Sequence, residues 1–310
     1  MLETSRRLGA GARIKLNIDK LSSFSFFPGQ IAAFRGVNMD KISFTVLEEL
    51  SLPHMPMVAS QPSVLRRFHH KLDGNNINGL VACGSYTLDT NLDFEPLDEI
   101  CKIAAQDQPA FMILIGPFID SEHSMVKSGD FEVSESERTS TKSIFDALFR
   151  DKITSRLRNV NCPNIILIPS VRDAVSKSMC WPQPSFDRKL LGLPKNIKCL
   201  PNPCLFSLNE VNFAASSNDI IKDMSRQEVS RNTPQKNIFS RVSQHILLQR
   251  NMYPLFPCQS SIDVAYLGLG DLYMGSPDIM IVPSEMHPFA KVTFINFNFF
   301  FFFFFFFFFF

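Results

Sequence analysis

The sequence predicts an α/β layered domain with part of a small β-barrel ahead of it. Three observations carry that expectation. From residue 79 onward, short apolar runs alternate with amphipathic helical segments, the pattern of a parallel sheet covered by helices. Residues 1–58 hold only β-type patterns. Between the two, residues 59–78 are polar, lack apolar periodicity and read as a linker.

In the first part, RIKLNID (13–19) alternates polar and apolar residues, QIAAFRGV (30–37) does so less cleanly, and ISFTV (42–46) follows the turn-forming NMDK. FFPGQ (26–30) places Pro-Gly at a tight turn. Three strands are too few for an independent sheet domain, so 1–58 is expected to be part of a barrel whose opening strands are missing from the chain. Within the linker, Arg66, Arg67, His69, His70 and Lys71 form a basic run. It reads as a solvated face, with a nucleic-acid or phosphate contact as the alternative.

GLVAC (79–83) opens the α/β part as an apolar strand. PLDEICKIAAQ (96–106) predicts a helix, with Pro in its first turn, Asp98 and Glu99 near its N-terminus, and Leu97, Ile100, Cys101 and Ala104 on one face. FMILI (111–115) is the next strand. TKSIFDALFRDKITSRLRNV (141–160) predicts a strong amphipathic helix with Ile144, Phe145, Leu148, Phe149, Ile153 and Leu157 along one side. Strand NIILI (164–168) follows. PCLFSL (203–208) and VNFAAS (211–216) read as a hairpin about Asn209-Glu210, with helices expected at 217–229 and 237–250 and a last strand at DIMIV (278–282).

Composition excludes several classes. The net charge is +1, so no overall field favours nucleic acid or a membrane surface. The N-terminus MLETSRRLGAGARIK carries no apolar signal segment. Seven Cys (83, 101, 162, 180, 199, 204, 258) are odd in number and contain no CxxC pair, which fits reduced thiols in cytosol or nucleus. Residues 293–310 read TFINFN followed by twelve Phe, a tail that no packed core needs and too short to cross a bilayer. It is expected to be spurious and to stand outside the fold.

In a parallel sheet, ligands bind beyond the carboxyl ends of the strands. The residues there are Gly84-Ser85-Tyr86, Gly116-Pro117-Phe118-Ile119-Asp120 with His123 beyond, Ser170-Val171-Arg172-Asp173, and Pro283-Ser284-Glu285-Met286-His287. In this order they resemble the calcineurin-like metallophosphoesterase fold. Its active members carry Asp-x-His, Gly-Asp-x-x-Asp, Gly-Asn-His-Asp/Glu and Gly-His-x-His at these places, ligands that clamp a phosphoryl group between two metals. Here Pro117 stands where the bridging Asp would be, Ser170-Val171 replace Asn-His, and Arg172 brings a permanent positive charge. The resemblance therefore implies a site without metal or other cofactor, in which Asp120, His123, Asp173 and His287 are vestiges.

GPFID, IPSVRDA, LPNPCLF, YPLFP (253–257) and IMIVPSEMHPFAKV match a narrower group. They resemble the B subunits of the replicative DNA polymerases, in the polymerase alpha branch, and FSFFPGQIAAFRGVN is similar to that family's OB-fold strands. The resemblance covers roughly residues 10–292. It implies a partial OB-fold (1–58), a linker (59–78), an inactive calcineurin-like phosphoesterase sandwich (79–292) and the tail (293–310). It also implies a chain truncated at both ends, lacking the family's N-terminal helical domain and its C-terminal Asn-Pro-Gly-Arg segment. As function it implies a nuclear, non-catalytic accessory subunit. Such a protein would bind the C-terminal domain of the polymerase alpha catalytic subunit, reach primase subunits through the complex, meet DNA indirectly and make no membrane contact. Tyr253 and Phe256, aromatics on a loop, are the candidate partner contacts. The alternative is a divergent metal-dependent phosphoesterase.

Overall fold

Alternation of side chains along each strand decides how this chain layers. The computed structural model describes residues 1–73, 75–140, 143–286, 290–295 and 298–303. The N-terminal part forms β1 (Leu2–Glu3), α1 (Arg6–Gly9), β2 (Arg13–Asn17), β3 (Phe24–Phe26), β4 (Ala33–Val37) and β5 (Ser43–Leu50). Four of these strands make a sheet in the order β1-β2-β5-β4. Its register shifts between Arg35 and Gly36, where a Cβ would stand 2.3 Å from the Thr45 carbonyl oxygen, so only glycine fits the bulge. Leu21, Phe24 and Val46 are buried beneath this sheet, with Leu16, Ile18, Phe26, Phe34 and Phe44 packed around them.

Part of the expected linker is helical. Pro62 at the first turn and Asp73 in the left-handed region bound an eleven-residue helix, α2 (Pro62–Leu72), in which no residue is buried. Its apolar residues recur at Val64, Phe68 and Leu72, a four-residue spacing that a linker reading overlooks.

The α/β part follows with β6 (Gly79–Cys83), α3 (Glu95–Asp107), β7 (Phe111–Ile115), α4 (Ser124–Ser128), α5 (Glu135–Ser140), α6 (Ile144–Phe149), α7 (Ser155–Leu157), β8 (Ile165–Ile168), β9 (Ile197–Cys199), β10 (Cys204–Leu208), β11 (Val211–Ala215), α8 (Ile220–Gln227), β12 (Val229–Arg231), α9 (Ile238–Gln249), β13 (Ile279–Ile281), β14 (Ala290–Ile295) and β15 (Asn298–Phe303). The amphipathic helix expected over 141–160 starts at Ile144 behind the Ser143 cap and runs into α7 through a π-helical turn at Arg150–Thr154. Its first two residues, Thr141 and Lys142, lie outside the described residues. The β10–β11 turn places both Asn209 and Glu210 at positive φ, the geometry of a two-residue hairpin.

Strands β6, β7, β8 and β9 form one parallel sheet, and β10, β11, β13, β15 and β14 form a mixed second sheet. Met112, Leu114, Ile165 and Leu167 pack on Leu97, Leu148, Phe149, Ile153 and Leu157 from the helices. The residues between them, Ile113, Ile115, Ile166 and Ile168, face Cys204, Phe213, Ala215 and Ile281 of the other sheet. Ala214, Met280 and Val282 point away from that layer, toward Ile220, Met224, Val242 and Ile246 of α8 and α9. The order is helix, sheet, sheet, helix. Each fully buried aliphatic or aromatic side chain contributes about 1.5–3 kcal/mol, so both faces of each sheet are committed to cores.

The tail expected to stand outside the fold is corrected for β15. The backbone of Asn298–Phe303 pairs parallel with β13 and antiparallel with β14. Backbone pairing is indifferent to side-chain identity, Phe has high strand propensity, and β13 has an edge to offer.

The N-terminal β module is anchored to the second sheet's helices. β3 pairs antiparallel with β12. The Gln249 side chain accepts from Ile31 N–H (2.7 Å) and donates to the Ile31 carbonyl (2.9 Å), as a neighbouring strand would. Phe256 N–H donates to the Pro28 carbonyl (3.0 Å).

Candidate functional site

Strands β6, β7 and β8 run parallel in matched register, so their carboxyl ends deliver three loops to one place. Gly116 N–H donates to the Ile168 carbonyl and Gly84 N–H to the Ile115 carbonyl, both at 2.8 Å, which carries the sheet's hydrogen bonding one step past each strand. The loops then touch backbone to backbone. A Cβ on Gly84 would stand 1.9 Å from the Pro117 carbonyl oxygen, and one on Gly116 would stand 2.2 Å from Asp173 Oδ2. Glycine is required at both positions by this approach.

Asp173 is fully buried and joins two of the loops. Its Oδ1 accepts from Phe118 N–H (2.5 Å) and Ile119 N–H (3.1 Å), and its Oδ2 accepts from Ser170 N–H (2.8 Å). Burial pushes this carboxyl up to about 7, the three N–H donors hold it back, and the neighbouring Asp120 charge adds to the rise. Asp120 and Asp173 face each other across an isolated antiparallel bridge.

Asp120 is bound by Arg172. The guanidinium takes both carboxylate oxygens, with Nε 3.1 Å from Oδ1 and Nη2 on Oδ2. Ser85 Oγ–H donates to Oδ2 (3.1 Å) and Glu122 N–H to Oδ1 (2.9 Å). Four donors on two oxygens leave this carboxylate occupied by the protein's own groups. His123 turns away from it. Its Nδ1 accepts from Met125 N–H (3.2 Å), which leaves Nε2–H to donate to the Leu88 carbonyl (2.9 Å). Tyr86 lies buried beneath the loops, stacked on Phe118 with its hydroxyl 2.8 Å from the Ile115 carbonyl oxygen. Burial raises the Cys83 thiol well above its ordinary value, and it donates to the Gly116 carbonyl.

The structure thus brings Gly84, Ser85, Gly116, Pro117, Asp120, Ser170, Arg172 and Asp173 into one closed cluster, with Tyr86 as its floor and His123 at its side. His287 lies outside the described residues. Among the described residues, no group of three or more His, Cys, Asp or Glu side chains is placed to share a metal ion. The expectation for the YPLFP aromatics divides. Tyr253 is 3% exposed, with its hydroxyl donating to Asp223 (2.6 Å) and its ring against Trp181, so it is corrected from a contact residue to a core residue. Phe256 is 59% exposed.

Sequence reasoning missed the polar residues that brace these loops from behind. Asn202 is fully buried, donates to Gln183 Oε1 (3.0 Å) and Ser217 Oγ (2.7 Å), and accepts from Ser216 Oγ–H (3.0 Å) and Ser217 N–H (3.1 Å). Gln183 in turn donates to the Ser170 carbonyl (3.0 Å). Asp219 Oδ2 accepts from Glu285 N–H (2.8 Å) and ties α8 to the loop after β13. Only Asn202 left a trace in sequence, as a polar residue between two prolines just before an apolar strand.

A layered α/β domain carrying a small β module, with a strand-end cluster filled by its own side chains, is the class of protein that fold and site define. The chain belongs to the B subunit family of DNA polymerases alpha and epsilon, whose profile matches residues 80–291. Residues 1–52 match the OB domain of the DNA polymerase alpha B subunit. Similar proteins are the DNA polymerase alpha B subunits of Schizosaccharomyces pombe (39% identical, 94% of this chain and 51% of that one), of Saccharomyces cerevisiae (37%, 94% and 46%) and of Bos taurus (31%, 94% and 46%). The chain spans about half the length of these relatives.

Proposed function

We propose that this chain is the core of a non-catalytic accessory subunit of the polymerase alpha–primase assembly, acting in the nucleus in DNA replication. Its two-sheet domain is read as a calcineurin-like phosphoesterase sandwich whose site is vestigial. The observation that carries this reading is the Arg172–Asp120 pair. A two-metal phosphoesterase needs that carboxylate free for a dication, and a guanidinium in its place repels one. Asp173 supports the same reading, because its lone pairs serve backbone N–H groups.

The partner in this proposal is the C-terminal domain of the polymerase alpha catalytic subunit, with primase reached through it. The β module and the α/β domain, joined at β3–β12, offer that partner one composite surface. Co-purification of the chain with that C-terminal domain tests it. A stable complex with equal amounts of both is expected. Failure of the folded chain to bind the domain under low salt overturns the proposal.

A further inference from the structure

We infer that α2 is a contact for the phosphate backbone of nucleic acid. The observation is the division of the helix into two faces. At about 100° per residue, Val64, Phe68, Leu72 and Leu65 share one side, and His69, Arg66, His70, Arg67 and Lys71 occupy the rest. Val64, Phe68 and Leu72 are half-buried, while all five basic and imidazole residues are exposed. Leu65, at the edge of the stripe, is 50% exposed, and the basic face looks outward.

The chain around α2 supplies that face with no counter-charge. The sequence holds no Asp or Glu between Glu49 and Asp73. Some exposed bases elsewhere are matched, as in Arg13–Glu3, Arg35–Glu48, Lys102–Glu99 and Lys127–Glu122, whereas α2 gathers five basic and imidazole residues, unmatched among the described residues, on one helix. Among the described residues, Arg66, Arg67 and Lys71 make no ion pair. Arg66 and His70, and likewise Arg67 and Lys71, are four residues apart, so each pair stacks along the axis with a rise of about 6 Å.

Orientation selects the partner. A membrane-surface helix presents its whole apolar face to lipid and its basic face to water and headgroups; here Val64, Phe68 and Leu72 are half-buried and leave only Leu65 open. A protein interface needs an apolar or aromatic anchor at its centre; Leu65 is the one exposed apolar residue of α2 and lies at the edge of the basic face, not at its centre. Charge alone is what this face offers, and a sequence-independent polyanion is what charge alone recognises. This inference goes beyond the scaffold reading and stands without it.

The experiment is fluorescence anisotropy of the whole chain with a labelled single-stranded oligonucleotide and its duplex. Three phosphate contacts predict affinity falling roughly 20- to 40-fold between 50 and 200 mM salt. The triple variant Arg66→Glu, Arg67→Glu, Lys71→Glu should weaken binding at 50 mM salt by about tenfold or more and flatten the salt dependence. Its melting temperature should not move, because no residue of α2 is buried. The control is Lys20→Glu, Lys195→Glu, Lys198→Glu, with the same change in net charge at exposed sites on other elements, and it should retain most of the affinity. Equal losses in the two triples, or no binding by the wild-type chain at 50 mM salt, overturns the inference. So does a helix triple that loses binding to phosphatidylserine vesicles while its oligonucleotide binding is unchanged.

Discussion

At the strand ends, Asp173 gathers three backbone N–H groups from two neighbouring loops of one domain. At the junction between the β module and the α/β domain, Glu228 gathers side chains from both. Arg241 holds it with Nε on Oε1 (2.5 Å) and Nη2 on Oε2 (2.6 Å), Ser25 of β3 donates to it, and His245 lies 3.4 Å away. Burial works against ionisation of Glu228, and the hydrogen bonds from His245, Arg241 and Ser25 outweigh it, holding the carboxyl down to about 2. In Asp173 burial wins and the carboxyl rises. Charged donors can overcome desolvation where neutral amides only reduce it. The strand-end cluster is therefore a local fastening, and the junction cluster carries the relation between two modules.

The largest expected effect breaks the junction. Arg241→Ala leaves a carboxylate whose side chain is 2% exposed without its cation, which should cost about 3–5 kcal/mol in a denaturant titration. Adding Glu228→Gln should recover part of that loss. Asn202→Ala comes next. It strands Gln183, Ser216 and Ser217 together and should cost about 2–3 kcal/mol.

The pH dependence sharpens the contrast. Glu228 has a folded-state value below its ordinary 4.5, so its contribution is present above that value and lost as pH falls toward about 2. Asp173 lies above its ordinary 3.8, so its contribution is full below that value and lost as pH rises through about 7. Asp173→Asn should remove the change between those limits. It should also cost about 1–3 kcal/mol, because an amide NH2 then faces N–H donors. Glu228→Gln should flatten only the acid limb, and stability measured across pH 2–8 checks both. The smallest effect is Arg172→Ala. Its side chain is 43% exposed and water can replace it on Asp120, so about 1 kcal/mol or less is expected in the same titration.

How much of this was readable in the sequence follows from how local each signal is. Strands β6 and β7 occupy the apolar runs expected of them, residue for residue, and the β10–β11 hairpin turns at Asn209-Glu210. These runs are short, apolar and bounded by turn residues. β12, whose three residues are all exposed, exists only because β3 lies beside it, and a stretch reading VSR announces nothing. The same holds for the sites. Asp120, Arg172 and Asp173 could be found because each follows a strand end. Glu228 pairs with Ser25, 203 positions away, and no pattern in SRQEVSR marks it. The burial of Tyr253 was hidden for a related reason, since Asp223 and Trp181, which enclose it, come from distant elements.

The strand-end cluster is filled by the protein's own groups, and the proposal that it performs no metal chemistry stands or falls on one assay. Phosphodiester hydrolysis by the purified chain in the presence of added manganese tests it most directly, with Asp120→Ala run beside the wild type. No turnover above the protein-free rate is expected in either sample. Manganese-dependent turnover that disappears in Asp120→Ala would contradict the claim.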